Sequence, residues 1–428
     1  MKFALVNPAW DFSGSIYFGC QEPHYPLELL FGFDKIREAG HEPLLIDAQL
    51  EQLNVTDVKR RLDAFQPDFL VMPTAPSYLF WRCPPPELRI PKQWFAGLES
   101  RAVKVAIGPH PSATPGPTMR KLRCDVVFRG EPDEVLPLLA SQPWSQIDGC
   151  CWKDENGERF SPRFAVTDMR KLGALKFDNY DVERHKHRHH VFSGSGHGAE
   201  LEFARGCPWA CAFCNKTLFR NKFRERDVDA VLDEVDRLLA RGVDYIYWID
   251  EIFGVGKNVR RLLEELAKRP VSIGLQTRID LWSEETLDLL GNARCISMEC
   301  GIESITEEGR NELNKGCRLS TDRLSELLIY ARKRIPWVQA NLILTEYDDR
   351  KDIRSWQERL KEEGVWVSEP IPMFPYPGTP MYQEIFGPID DQAWERAHHY
   401  YTSTFREKGY SDIQEQAPAA IEDLECTY

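Results

Sequence analysis

The chain has 428 residues, of which 42% are hydrophobic and 28% are charged, and its formal net charge is −13 at pH 7. This composition is typical of a globular protein with more than one domain. The acidic balance disfavours nucleic acid and anionic membranes as partners. No apolar run reaches the roughly 18 residues that a spanning helix needs, and no signal peptide is recognisable. Twelve cysteines without a secretion signal indicate a reducing compartment, so we expect a cytoplasmic protein.

Residues 1–140 alternate between short apolar runs and helical patterns, which predicts a doubly wound α/β domain with a parallel sheet. The predicted strands cover 3–7, 43–46, 69–72, 103–107 and 125–128. Ligands of such sheets bind beyond the carboxyl ends of the strands, where small residues let a backbone approach closely. The loops there contain the candidate binding residues Thr74, Ser77, Gly108, His110, Gly130 and Glu131. Without a G-x-G-x-x-G motif, a dinucleotide is disfavoured.

Residues 141–199 read as a linker that contains a β-hairpin around 154–157. A histidine-rich tract follows, formed by His185, His187, His189, His190 and His197. Such a tract could contact a metal or a substrate, but it is more often a solvated connector, which we favour here.

Three cysteines, Cys207, Cys211 and Cys214, have C-x3-C-x2-C spacing directly after an alternating, strand-like run at 200–204. Thiolates select zinc, copper(I) or iron–sulfur clusters. Structural zinc sites and ordinary clusters take four ligands, and no partner C-x2-C pair occurs elsewhere in the chain. Three thiolates on a four-iron cluster would leave one iron open. A zinc site or a set of buried thiols is the alternative.

From 200 to 385, strands and helices alternate through six β/α units, which predicts an incomplete barrel. The later strands are expected at 245–249, 271–275, 296–304, 338–344 and 366–374, and a turn follows at 375–380. Barrel enzymes place their sites where strands end, and the polar candidates there are Asp250, Glu251, Arg278, Glu303 and Ser304, with Gly301 among them.

The last segment, 386–428, is a short acidic tail. Trp394 and the residues 398–401 could cover the barrel mouth, but an amphipathic helix packed on the barrel is the favoured interpretation. We expect poor order from Tyr410 onward.

The cysteine triplet, with Phe213 before its third member, resembles that of the radical SAM enzymes, and the ordered strand ends strengthen the resemblance. It implies a [4Fe-4S] cluster on the three cysteines, with S-adenosylmethionine on the open iron and Phe213 beside it. It further implies that Asp250 and Glu251 lie near the methionyl amino group and that Arg278 pairs with the carboxylate. Gly301, Glu303 and Ser304 would then lie near the ribose.

Residues 1–140, with the sequences at 108–110 and 129–131, look like the cobalamin-binding domain of one branch of that family. The D-x-H-x-x-G motif, whose histidine ligates cobalt in other cobalamin proteins, is absent. A sheet that only covers the barrel is the alternative.

The resemblance implies methyl transfer to an unactivated carbon of a small molecule, with an electron donor such as flavodoxin or ferredoxin. The alternatives are radical cyclisation, oxidation or rearrangement, and a non-catalytic metal-binding protein.

Overall fold

The computed structural model describes residues 1–11, 23–79, 83–178, 180–185, 188–218 and 220–407. These residues form two large β-sheets, one in each half of the chain. Among them, no helix combines the length and the apolar character required to cross a bilayer.

The first sheet has seven strands in the order β2-β1-β3-β4-β5-β6-β7, and its first five strands are parallel. The strands are β1 (Lys2–Asn7), β2 (Glu42–Asp47), β3 (Phe69–Pro73), β4 (Val103–Ile107), β5 (Val126–Phe128), β6 (Cys150–Asp154) and β7 (Gly157–Phe160). The helices are α1 (Leu27–Glu38), α2 (Ala48–Glu51), α3 (Val55–Phe65), α4 (Arg89–Gly97), α5 (Pro109–Ala113) and α6 (Pro115–Leu122).

Helices cover both faces of this sheet, because alternate strand residues point to opposite sides. Ala4 and Val6 of β1 share one apolar cluster with residues of α3, whereas Phe3 and Leu5 share another with residues of α1. The predicted doubly wound α/β arrangement is therefore confirmed.

The hairpin that the sequence places in a linker belongs to the first sheet. Strand β6 pairs antiparallel with β5, and β7 pairs antiparallel with β6. The description of 141–199 as a linker was thus wrong for 150–160, because buried Cys150 and Cys151 pack into the two apolar clusters of the sheet.

The histidine tract is not uniformly solvated either. His185 is fully buried, and its Nε2 lies 2.6 Å from the Tyr180 hydroxyl. His190, in contrast, packs against Trp337 at the surface. His197 opens β8, and His187 lies outside the described residues.

The second sheet has six parallel strands in the order β15-β14-β13-β12-β11-β8, so the six predicted β/α units of the incomplete barrel are confirmed. The strands of this half are β8 (His197–Leu201), β9 (Ala204–Arg205), β10 (Arg224–Glu225), β11 (Val243–Trp248), β12 (Ser272–Thr277), β13 (Cys295–Glu303), β14 (Trp337–Leu342) and β15 (Trp366–Val367). The helices are α7 (Val228–Ala240), α8 (Val259–Leu266), α9 (Glu284–Asn292), α10 (Glu307–Glu312), α11 (Thr321–Arg332) and α12 (Arg350–Glu362).

Strand β15 is much shorter than the 366–374 predicted. Pro370 and Pro372 have no N–H to donate to a ladder. In the described part of the chain, one isolated bridge, between Ile343 and Ile371, continues the pairing.

Two helices end the described chain, α13 (Pro380–Phe386) and α14 (Ala393–Glu407). The predicted tail helix is present, and it packs both on Phe374 and Tyr376, which follow β15 of the barrel, and on the helices of the first sheet. Trp394 Nε1 donates to Thr114 Oγ1 at 3.1 Å, and its ring lies 4.4 Å from that of His110. Residues from 408 onward, including Tyr410, lie outside the described residues.

Candidate active site

The cysteine loop begins at a glycine whose backbone requires the absence of a side chain. Gly206 has φ +85°, and a Cβ there would lie 2.2 Å from the carbonyl oxygen of Lys222. This close approach lets the N–H of Cys207 donate to the carbonyl of Arg220 at 3.1 Å. The adjacent pairing of β9 with β10 closes the loop at its base.

Contacts from distant parts of the chain hold the loop against the barrel. The N–H of Ala212 donates to the carbonyl of Leu313 at 3.0 Å, and Asn314 Nδ2 donates to the carbonyl of Ala210 at 2.7 Å. The N–H of Met381 donates to the carbonyl of Ala212 at 3.1 Å. The cysteine loop is thus held both by residues 313–314 and by Met381.

The thiols of Cys207, Cys211 and Cys214 line one cavity, as the sequence predicts. The pKa of Cys214 is raised to about 12, mainly by burial; the two neighbouring cysteines add to this effect, whereas a backbone hydrogen bond with Lys216 opposes it. Thiols with raised pKa values stay protonated unless a metal displaces the proton. Within the described ranges, no three His, Cys, Asp or Glu side chains converge on one ion-sized position. Three neighbouring soft donors in a shared cavity fit the three-cysteine side of a cluster.

The cavity holds about 800 Å³ of empty space, counting its open mouth, which is a size that takes a small molecule. It lies at the carboxyl ends of the barrel strands. Its wall includes five further residues that the sequence singled out: Phe213, Glu251, Arg278, Gly301 and Glu303.

The adjacent carboxylates Asp250 and Glu251 have different positions. Glu251 lines the cavity, where it accepts from the N–H of Gly206 at 2.9 Å and pairs with Arg220. Asp250 is buried outside the cavity wall and accepts from the N–H groups of Phe203 and Ala204 at 2.8 and 3.0 Å. Asp250 therefore does not share the position of Glu251 in the cavity wall, because its carboxylate binds backbone beside β9.

Arg278 and Glu303 face the cavity but have protein partners. Arg278 donates to Asp280 at 2.7 and 3.0 Å, and its guanidinium lies 4.5 Å from the ring centre of Trp209. Glu303 pairs with Lys315 at 2.9 Å. Both charged groups are therefore oriented before any ligand arrives.

Ser304, in contrast, points away from the cavity. It is fully buried and donates to Asp348 Oδ1 at 2.8 Å. Ser304 therefore does not line the cavity: it follows Glu303, the last residue of β13, whose backbone has φ +69°, and its hydroxyl is held by Asp348.

Four candidates lie together at the carboxyl edge of the first sheet. Thr74 is fully buried, and its hydroxyl has no hydrogen-bond partner among the described residues. Gly108 has φ +122° at the start of α5, and burial lowers the pKa of His110 to about 3. Ser77 donates to Glu28. An unsatisfied buried hydroxyl is uncommon in native structures and suits a site that takes a polar ligand.

The other two candidates, Gly130 and Glu131, belong to the junction between the halves. A Cβ at Gly130 would lie 2.2 Å from the carbonyl oxygen of Ala165, so the protein itself fills this space. Glu131 is buried between Arg220 at 2.8 Å and Arg224 at 2.7 Å, which contribute to lowering its pKa to about 2 against the opposing effect of burial. Both residues therefore have neighbours within the protein at the junction.

Sequence reasoning missed this ion network and the polar inner wall of the barrel. The missed residues are Asp133, Glu202, Arg205, Arg220 and Arg224 in the network, with Lys216, Gln276, Glu299, Lys315 and Asn341 in the cavity wall. Glu299 could have been found from the sequence, because it lies two residues before Gly301 and four before Glu303, and residues two apart in a strand face the same side.

Residues 201–356 match the family model described as the Radical SAM superfamily. The chain therefore contains a radical SAM domain, and the three cysteines, the cavity and most of the six-stranded sheet lie within it.

Relatives extend the likeness beyond this domain. A protein of Pyrococcus horikoshii named uncharacterized methyltransferase PH0819 is 23% identical over 397 residues, which cover 90% of this chain and 83% of that protein. The hopanoid C-3 methylase of Methylococcus capsulatus is 26% identical over 375 residues, which cover 83% of this chain and 67% of the methylase.

A solved structure shares the fold of both halves. The radical S-adenosylmethionine methyltransferase TsrM of Kitasatospora setae, solved with cobalamin and a [4Fe-4S] cluster bound, superposes with a TM-score of 0.70 at 16% identity. The match covers 90% of this chain and 77% of TsrM. The protein thus shares the fold of TsrM across both sheets.

Proposed function

We propose that the protein is a cobalamin-dependent radical SAM methyltransferase that acts on a small molecule. The observation that carries this proposal is the cavity at the carboxyl end of the barrel. It brings the three thiols together with Glu251, Arg278 and Glu303. Two similar proteins are named as a methyltransferase and a methylase, and TsrM is a methyltransferase with cobalamin bound.

The chain's own residues would bind and orient the reactants. Cys207, Cys211 and Cys214 would hold a [4Fe-4S] cluster, and the side chains of Glu251, Arg278 and Glu303 would orient S-adenosylmethionine beside Phe213. A guanidinium suits a carboxylate, and a carboxylate accepts from amino and hydroxyl groups. When bound, the cluster, S-adenosylmethionine and cobalamin supply the one-electron chemistry and the transferable methyl group.

The carboxyl edge of the first sheet would hold the corrinoid. Thr74 and Ser77 offer hydroxyl groups there, and Gly108 contributes a backbone with φ +122°. His110 is buried against Trp394, and its low pKa keeps it neutral. We infer that the corrinoid is held by this edge without a ligand from a D-x-H-x-x-G motif.

The electron donor would be a small reducing protein such as flavodoxin or ferredoxin, and the compartment would be the cytoplasm. The described cysteines, all but Cys20 and Cys426, form no disulfide with one another. A cluster held by thiolates needs such reducing surroundings.

The test is anaerobic reconstitution followed by measurement of iron, corrinoid and 5′-deoxyadenosine per chain. Wild type should bind about four irons, bind corrinoid and cleave S-adenosylmethionine. Cys207→Ala should abolish that cleavage. Cys300→Ala is the matched control, because Cys300 is a buried thiol of β13 outside the cavity wall, and it should retain both iron and cleavage.

Substantial 5′-deoxyadenosine from Cys207→Ala would overturn the assignment. S-adenosylmethionine with an isotope-labelled methyl group then tests the outcome of the reaction. Label in the product supports methyl transfer. Turnover that leaves the product unlabelled would instead indicate cyclisation, oxidation or rearrangement.

A further inference from the structure

Lys216 is a buried lysine that lies against the cysteine loop. It belongs to a short 3-10 turn, Asn215–Leu218, directly after the third cysteine, and the residue is 3% exposed. Its Nζ donates to the carbonyl oxygen of Cys207 at 2.8 Å, and its backbone forms a hydrogen bond with the Cys214 thiol. Lys216 therefore contacts both the first and the last cysteine of the triplet.

The Lys216 side chain also lines the cavity that the three thiols share. The other charged side chains of this wall are Glu251, Arg278, Glu299, Glu303 and Lys315. Arg278 has a carboxylate partner in Asp280, and Lys315 has one in Glu303. Lys216, in contrast, forms no ion pair within the described ranges, and its ammonium group donates to a neutral carbonyl instead. Its charge is thus not neutralised by a carboxylate in direct contact.

The balance of charges at the thiols also favours Lys216. Burial raises the pKa of Cys207, whereas the charge of Lys216 lowers it by more than the charge of Glu251 raises it. At Cys211 and Cys214, where burial also raises the pKa, the charge of Lys216 again opposes the rise. The ammonium group is therefore close enough to act on all three thiols.

A buried cation in this position affects the reduction of a cluster more than its assembly. Reduction by one electron adds one negative charge to a cluster that three thiolates already make anionic, and the net charge around a cluster is one of the quantities that set its reduction potential. In a buried site, a fixed positive charge favours the more negative state, because the effective dielectric constant is low. The electron comes from the small reducing protein of the proposed function.

We propose that Lys216 is a positioning residue whose charge stabilises the one-electron-reduced form of the cluster held by the three cysteines. This inference rests on the proposed function, because it requires a cluster on those cysteines. It assigns the lysine to the cluster itself rather than to S-adenosylmethionine or the substrate.

The test is a redox titration of the anaerobically reconstituted protein, without S-adenosylmethionine, followed by the electron paramagnetic resonance signal of the reduced cluster. Lys216→Gln keeps a polar side chain but removes the charge. At a fixed potential, its ratio of reduced to oxidised cluster should fall about tenfold or more, and tenfold corresponds to about 59 mV for a one-electron couple. Lys216→Arg keeps the charge and should titrate close to wild type.

Lys222→Gln is the matched control. It removes the same charge at an exposed position between β9 and β10, where solvent screens the lysine from the cluster. It should bind iron and titrate as wild type does. If Lys216→Gln binds no iron, Lys216→Met is the second neutral variant and is titrated in its place.

The inference is overturned if the neutral variant titrates with wild type, or if Lys222→Gln shifts the potential equally. It is also overturned if both neutral variants lose their iron, because Lys216 would then hold the cluster in both states. A shift that requires added S-adenosylmethionine would assign the lysine to that cofactor instead. Wild type that binds no iron refutes the proposed function as well, whereas an unchanged potential in Lys216→Gln refutes only the role of the lysine.

Discussion

Glu28 is a buried carboxyl group in the first turn of α1, close to the junction of the two halves. Burial raises its pKa to about 7; nearby Glu202 adds to this effect, whereas the hydrogen bond from Ser77 and the charge of Arg205 oppose it. The folded protein therefore holds a proton on Glu28 over a pH range in which the unfolded chain releases it.

Glu28→Gln should consequently stabilise the protein at alkaline pH. The wild-type contribution of Glu28 is complete below its unfolded pKa, near 4.5, and is lost as the pH rises to about 7. The variant should unfold at the same temperature as wild type near pH 4.5. At pH 8 it should be more stable, by at most about 3 kcal/mol.

Thermal unfolding from pH 4.5 to 8 measures this difference. Glu38→Gln, at the exposed end of the same helix, should follow wild type at every pH. A Glu28→Gln curve parallel to that of wild type would contradict the assignment of a buried proton to Glu28.

At the residue scale, sequence spacing identified the three cysteines because all three lie on one short connection. Sequence spacing could not tell which residue of the pair Asp250 and Glu251 lines the cavity. It also could not tell this for the pair Glu303 and Ser304. Adjacent residues at a strand end point in opposite directions, and only the packed sheet decides which direction is the cavity.

At the scale of elements, the cysteine loop depends on Gly206. Gly206 and Gly242 both have positive φ, of +85° and +83°, but their surroundings differ. A Cβ at Gly242 would meet nothing within 4 Å, whereas one at Gly206 would meet the Lys222 carbonyl at 2.2 Å. Substituting each of the two glycines therefore distinguishes the cost of a strained backbone from the cost of a steric clash.

Gly242→Ala should lower the free energy of unfolding by roughly 1–2 kcal/mol, the cost of a left-handed backbone with a Cβ. Gly206→Ala should cost more and should also reduce the iron bound after reconstitution, because the loop must move. Denaturant unfolding and iron analysis of both variants check this. Equal unfolding free energies and equal iron contents would show that the contact at Gly206 is easily relieved.

Apolar runs predicted nearly every strand of both sheets, because strands buried on both faces need continuous hydrophobic sequence. The same reasoning overextended β15, since it ignored the missing N–H groups of Pro370 and Pro372. It also left the β6–β7 hairpin out of the first sheet, because the pairing of β6 with β5 leaves no mark in the local sequence.

At the scale of the whole molecule, a buried ion network joins the first sheet to the cysteine strand. Arg205 donates to Asp133 at 2.5 and 3.1 Å and to Glu202 at 2.9 Å, and all three side chains are almost inaccessible. Asp133 follows β5 in the first half, whereas Arg205 directly precedes the cysteine loop. The network therefore fixes one half relative to the other.

Arg205→Gln should lower the free energy of unfolding by about 3–5 kcal/mol, because it leaves two buried carboxylates without their cation. Arg170→Gln is the control, because its ion pair with Asp168 is exposed, and it should leave stability close to that of wild type. Denaturant unfolding of both variants measures the difference. Similar losses in the two variants would mean that the halves do not depend on this network.

The sequence by itself determined the two α/β halves, the six parallel strands of the barrel and the three-cysteine centre. These features follow from local patterns, namely hydrophobic period and cysteine spacing. Only the tertiary structure decided that Glu131 belongs to the ion network, that α14 covers α5 and α6, and that Glu299 lines the cavity. Each depends on which groups from distant parts of the chain are buried together, and burial is a property of the packed fold rather than of any segment.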